Sequence, residues 1–320
     1  MLVVTNRNIV KSNFVDGVGD ERAFGDQINT RGPNEVRLAH AVKENGKWKV
    51  SLVIEPSKIT DTNIPSKKEF ERLSAKLTTD GTTKNCVFFV HGFNQSFEKN
   101  LEKAYAMEKE HGVEVIAFSW PSNPGGFKTK EYRTAKRNAI ASVGALDATL
   151  EKLGKYLKNP FNKNDLQACD VKLTFMSYSL GNYLFQNYVL NSRYEDETCI
   201  FDNVILCQAD VDNEAHALWV NQIEAGKRVY VTINENDWVL KWSDANFQKD
   251  RLGRTARNLN AKNALYFDFT AGQNVGKTHG VFYKKTNPSV KKFFTAVLNG
   301  KRGEHTPGFK YNAHKNAYEL

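Results

Sequence analysis

Residues 171–185 read VKLTFMSYSLGNYLF. An apolar run beginning at Val171 has the look of a strand. Small residues stand at 177, 179 and 181, and an apolar-periodic helix begins directly after them. A strand joined to a helix by so short a turn forces the residue at its tip, Ser179, into strained backbone geometry. The hydroxyl is then pushed into the open above the sheet. The residues two before and two after the tip must be small, because the turn brings their backbones together. Gly181 meets that need, and Ser177 stands where glycine is the more usual choice. Serine beside glycine is common in loops, so the constraint lies in the flanking strand and helix.

A second signal lies upstream. Cys86–Val90 reads CVFFV, a buried strand, and it ends in His91-Gly92-Phe93-Asn94. A strand that simply ends in a turn would explain this pair alone. Followed by the Ser179 turn, it matches the loop that supplies half of an oxyanion hole in α/β-hydrolases. The N–H groups of Phe93 and Leu180 are the expected donors. After Ser179 come three further apolar strands: 203–207 (NVILC), 229–233 (VYVTI) and 264–269 (ALYFDF). Asp237 stands in the polar turn after the second of them. His279 stands in the glycine-bearing loop after the third, before a helix that begins at Asn287-Pro288. A serine hydroxyl is a poor nucleophile until an imidazole takes its proton. The imidazole in turn needs a carboxylate to fix its tautomer. Ser179, Asp237 and His279 follow the chain order serine, acid, histidine. Asp210 and Asp212 are rivals for the acid.

The chain resembles an uncharacterised α/β-hydrolase family that bears a domain-of-unknown-function label. The matching residues are Thr5-Asn6-Arg7, Phe24-Gly25, V-H-G-F-N at 90–94 and F-S-W-P-S at 118–122. They continue with S-Y-S-L-G at 177–181, A-D-V-D at 209–212, N-D-W-V-L at 236–240, R-L-G at 251–253 and His279. Relatives more often carry Gly-His where this chain has Ser177-Tyr178. The resemblance implies an α/β-hydrolase fold over about residues 1–300, with a triad at Ser179, Asp237 and His279. It implies a mechanism rather than a metabolite.

Residues 1–60 are expected to be antiparallel. Val36, Leu38, His40 and Val42 alternate, as do Trp48, Val50, Leu52 and Ile54, and Asn45-Gly46 between them is a hairpin turn. From about residue 84, strands alternate with helices, which argues a mostly parallel sheet covered on both faces. The leucine and alanine stripe over 131–158 predicts one long helix. Residues 301–320 are basic, carry Gly303, Pro307 and Gly308, and are expected to form a loosely attached tail. No long insertion separates Asp210 from the strand at Val229, so little or no lid is expected. Trp120, Pro121, Phe127 and Trp238 are candidates to line an apolar pocket, with ordinary packing as the alternative.

The net charge of +9 is spread over the chain. No nucleic-acid motif accompanies it, and no phosphate-binding glycine loop occurs. No apolar run reaches membrane-spanning length, and the first residues read as a strand rather than a secretory signal. Cys86, Cys169, Cys199 and Cys207 lack metal-ligand spacing. A reduced, cytoplasmic protein is expected. The resulting expectation is a serine hydrolase of esters or thioesters, working without metal or organic cofactor on a small-molecule or lipid ester. Two alternatives stand beside it: a phospholipase or lipid acyltransferase that docks on anionic membranes, and a non-catalytic binding module.

Overall fold

The computed structural model describes residues 1–54, 56, 58, 60, 63–78, 84–123, 125, 129–158, 170–191, 197–247, 249–284 and 287–320. Phe127 and Cys169 lie outside the described residues. The strands in chain order are β1 (Leu2–Thr5), β2 (Arg7–Ile9), β3 (Phe14–Val15), β4 (Val18–Gly19), β5 (Phe24–Ile28), β6 (Arg37–Glu44) and β7 (Lys47–Leu52). They continue as β8 (Cys86–Val90), β9 (Glu114–Ser119), β10 (Leu173–Tyr178), β11 (Asn203–Cys207), β12 (Arg228–Ile233), β13 (Ala264–Asp268), β14 (Lys310–Asn312) and β15 (Ala317–Glu319).

One sheet runs in the order β14-β15-β13-β12-β11-β10-β8-β9-β1-β6-β7-β4-β3, and β2 pairs with β5 apart from it. From β9 through β13 every neighbouring pair is parallel. β8, β9 and β11 are buried along their whole length. That is why they read as unbroken apolar runs rather than as alternation: helices cover both faces. Core side chains accordingly fall into two clusters, one on each side of the sheet.

The N-terminal region differs from expectation in two respects. β1 is not part of an antiparallel extension alone: it pairs parallel with β9 and antiparallel with β6, so it forms the seam between the two halves of the sheet. The β6–β7 hairpin turns at Asn45-Gly46 as expected. In β6, however, the deeply buried residues are Arg37, Ala39 and Ala41, while Val42 is 48% exposed. Val36 and Leu38, from the alternate set, are partly buried against the core on the other face of the sheet.

The 131–158 stripe forms two helices, Thr129–Ala141 and Val143–Lys158, that meet at Ser142. There the Ser142 hydroxyl donates to Asn138 O (2.7 Å) and accepts from Asn6 Nδ2 (2.9 Å). A hydroxyl inserted into the helical ladder is a common cause of such a break.

The C-terminal residues are not a loose tail. β15 pairs parallel with β13, and β14 closes that edge. Tyr318 stacks on Phe267 with ring centroids 4.8 Å apart, Phe309 packs edge-on to the same ring at 5.2 Å, and Ala317 is fully buried. Composition alone suggested a tail because two three-residue strands carry almost no periodic signal.

Candidate active site

The strands β8, β10, β11, β12 and β13 all deliver their C-terminal ends to one edge of the sheet. That edge is where open α/β sheets bind ligands. Ser179 follows β10 there with φ of 53°, in the left-handed region that costs a residue with a Cβ. The backbone is pinned at this point: Ser179 N donates to Cys207 O (3.0 Å) and Asp210 N donates to Ser179 O (3.2 Å).

Asn182 completes the restraint. Its Nδ2 donates to the carbonyls of Ser177 (3.2 Å), Ser179 (3.0 Å) and Cys207 (3.3 Å), while its Oδ1 accepts from Ser177 Oγ (2.6 Å). The serine at position 177 is therefore used: glycine there could not make that bond. A Cβ on Gly181 would come within 2.6 Å of His91 O, and one on Gly92 within 2.6 Å of Ser179 Cβ. Glycine is required at both positions because the two turns lie against each other.

The loop after Gly92 is held from two sides. Gln95 Nε2 donates to the carbonyls of Phe93 (2.9 Å) and Asn94 (3.1 Å). Arg7, buried at the start of β2, donates to Gln95 O (2.6 Å) and to Ser119 Oγ (2.9 Å), and pairs with Asp26 at 2.8 Å. His91 lies beneath this loop. Its Nδ1–H donates to Gly92 O (2.9 Å), so its Nε2 accepts from Trp120 N (3.1 Å). Burial, with the nearby Arg7 charge, pushes the His91 pKa well down, which keeps this ring neutral.

On the other side of Ser179, His279 Nδ1–H donates to Asp237 Oδ2 at 2.6 Å. Asp237 is fully buried and accepts three further bonds: from Val239 N (2.9 Å) and Leu240 N (3.2 Å) at the start of the following helix, and from Gln208 Nε2 (2.5 Å). Gln208 also donates to Thr278 O (3.0 Å) and accepts from Gly280 N (2.7 Å) and Val281 N (3.1 Å). One amide thus holds the carboxylate and both sides of the histidine loop. Asn234 Nδ2 donates to Gly276 O (3.0 Å) and Thr278 O (3.1 Å) from below. The ring of Tyr178 packs on the imidazole with centroids 4.9 Å apart.

Ser179 and His279 line one cleft of about 320 Å³, together with Phe93 and Trp238. Among the described residues no hydrogen bond engages Ser179 Oγ or Leu180 N, and Ser179 lines the cleft.

The family model for alpha/beta hydrolases of unknown function (DUF900) matches residues 66–272. The chain belongs to that family. No curated protein matches it. Among solved structures it is similar to Trichoderma reesei cutinase in complex with a C11Y4 phosphonate inhibitor. That match has 16% identity, covers 44% of this chain and 61% of the cutinase, and has a TM-score of 0.22. The chain thus spans less than two thirds of that relative's length.

Within this α/β-hydrolase, the rival carboxylates Asp210 and Asp212 are bonded to groups other than the histidine. Asp210 accepts from Tyr132 Oη (2.9 Å) and Ser243 Oγ (2.8 Å) and faces Arg251 Nε at 3.3 Å. Asp212 pairs with Arg251 and with Lys249 (2.8 Å). Trp120 is not in the cleft. It is fully buried, stacks on His91 at 5.5 Å and donates its indole N–H to His91 O (2.8 Å), so its role is packing. Trp238 does reach the cleft and is 53% exposed. Between β11 and β12 the longest helix is Ala217–Val220, in keeping with a site that carries little cover. Among the described residues no group of three or more His, Cys, Asp or Glu is arranged to hold a metal ion, and no helix is long and apolar enough to cross a membrane.

Gln208, Asn182 and Gln95 escaped the sequence reading. Each is an amide that bonds to backbone, which leaves no periodic trace. The one available signal is position: Gln208 directly follows a strand end, and Asn182 lies in the first turn of the helix after Ser179.

Proposed function

We propose that this α/β-hydrolase is a serine hydrolase that cleaves carboxylic esters or thioesters through an acyl-enzyme. The observation that carries the reading is the 2.6 Å bond from His279 Nδ1–H to the buried Asp237, on the edge of a cleft shared with the strained Ser179. With Nδ1 committed to the carboxylate, Nε2 is the ring atom left to take a proton. Ser179 Oγ attacks the carbonyl carbon as His279 Nε2 removes its proton. The carbonyl oxygen gains negative charge and is held by the N–H groups of Phe93 and Leu180. His279 then protonates the departing alcohol or thiol. Water, deprotonated by the same imidazole, releases the acid and restores Ser179. Asp237 stays ionised throughout and stabilises the imidazolium. The serine–histidine bond absent from the resting structure is expected to form with substrate in place.

Steady-state and pre-steady-state hydrolysis of p-nitrophenyl esters tests the reading. A burst of p-nitrophenol equal to the enzyme concentration is expected in wild type, with neither burst nor turnover in Ser179→Ala. Unchanged turnover in that variant would refute it.

A further inference from the structure

The cleft that holds Ser179 and His279 is also lined by Lys99, Lys103 and Lys284. Asp210 lines it too, but its charge is met by Arg251, 3.3 Å away. Among the described residues no carboxylate pairs with any of the three lysines.

Lys103 is the most constrained of them. It is partly buried on the helix Phe97–His111, and its ammonium lies over the rings of Tyr178 (6.0 Å) and Tyr283 (5.5 Å). It donates to Gln95 Oε1, whose amide nitrogen holds the Phe93–Asn94 loop. A neutral amide and two ring faces orient a cation without neutralising it. Burial first, then the charges of Lys99 and Lys284, push its pKa down to about 8. A lysine with only a solubilising role would extend into water. Here three cations converge beside the reacting groups with nothing of opposite sign to meet them.

We propose that the substrate carries an anionic group, a carboxylate or a phosphate, that Lys103 binds with Lys99 and Lys284 around it. This rests on the serine-hydrolase reading for the reaction but not for the binding. An anion entering the cleft would supply the missing charge and make charge-assisted hydrogen bonds, which are the stronger kind. Tethered through Gln95 to the oxyanion loop, the ammonium would hold the anion at a fixed offset from Ser179.

A matched pair of substrates separates charge from size: mono-p-nitrophenyl adipate and p-nitrophenyl hexanoate. In wild type, kcat/KM is expected to favour the charged ester by about ten- to a hundredfold, mainly through KM, as a charged hydrogen bond implies. Lys103→Met should lower that ratio by about tenfold or more. The more exposed Lys284→Gln, which leaves the core untouched, should lower it by about threefold. A wild-type ratio near one, or a ratio that Lys103→Met leaves unchanged, would overturn the proposal.

If neither ester is cleaved, the hydrolase reading fails and calorimetry on the Ser179→Ala protein decides the anion site alone. Binding of monomethyl adipate or inorganic phosphate that Lys103→Met weakens about tenfold supports the site. Whichever of the two binds more tightly then names the group. No binding of either overturns it.

Discussion

Asp237 and Asp210 follow the neighbouring strands β12 and β11, and both are buried at the same edge of the sheet. Their partners differ in kind. Asp210 faces Arg251, a permanent cation, with Tyr132 and Ser243 completing its hydrogen bonds. Asp237 faces an imidazole, an amide and two backbone N–H groups. A carboxylate already matched by arginine has no charge left to offer a reaction. One whose only titratable partner is histidine can stabilise a charge that appears during turnover. The difference teaches that burial and hydrogen-bond count alone do not single out a candidate acid; the charge state of its partner separates the two.

The largest effect expected from breaking this contrast is in Asp237→Asn. kcat should fall by about 10⁴, the loss known for such a change in a serine protease. A variant within tenfold of wild type would transfer the acid role elsewhere. Asp210→Ala should act on stability instead. Removing one side of a buried ion pair costs about 3 kcal/mol, at the low end here because Asp212 still pairs with Arg251. Chemical denaturation reads this directly, and an unchanged midpoint would show that the Arg251 cluster is not a structural tie.

Lys103 sharpens the comparison, as a partly buried cation that pairs with no carboxylate among the described residues. Its pKa of about 8 lies below the ordinary 10.5. Between those values the unfolded chain holds more protons at this group, so the contribution of Lys103 to stability rises with pH across that window. Lys103→Met should therefore stabilise the protein by up to about 3 kcal/mol below pH 8, and the gain should vanish by about pH 10.5. A pH-independent difference in denaturation midpoint would contradict the cost assigned to this charge.

Smaller again is Gln208→Leu. It removes one bond to Asp237 and leaves the N–H groups of Gly280 and Val281 without their acceptor. About tenfold in kcat is expected, with KM little affected, since a misplaced imidazole harms the transition state more than the ground state. Asp212→Asn, on the partly exposed side of Arg251, should change kcat by less than about threefold.

Much of the geometry of the candidate site was legible in the sequence, for physical reasons. Buried parallel strands leave unbroken apolar runs, and a strand-to-helix turn that must hold Ser179 at positive φ demands small neighbours at 177 and 181. The order of β12 and β13 in the chain also places their loops side by side, which brings Asp237 to His279. Three features were hidden. Trp120 after β9 could have faced ligand or core, and only its stack on His91 decides for the core. The stripe over 131–158 carries no sign of the Ser142 break, because that break depends on Asn6 from a distant strand end. Lys103 looked like one of many lysines on an amphipathic helix. Its burial comes from Tyr178 and Tyr283, which chain order does not place near it.

The central claim is that Ser179 is an activated nucleophile. Incubation of wild type and Ser179→Ala with a fluorophosphonate probe, followed by peptide mapping, tests it most directly. The account predicts a single covalent adduct on Ser179 in wild type and none in the variant. An adduct on Ser177, an adduct that persists in Ser179→Ala, or no adduct on a folded wild-type protein would contradict it.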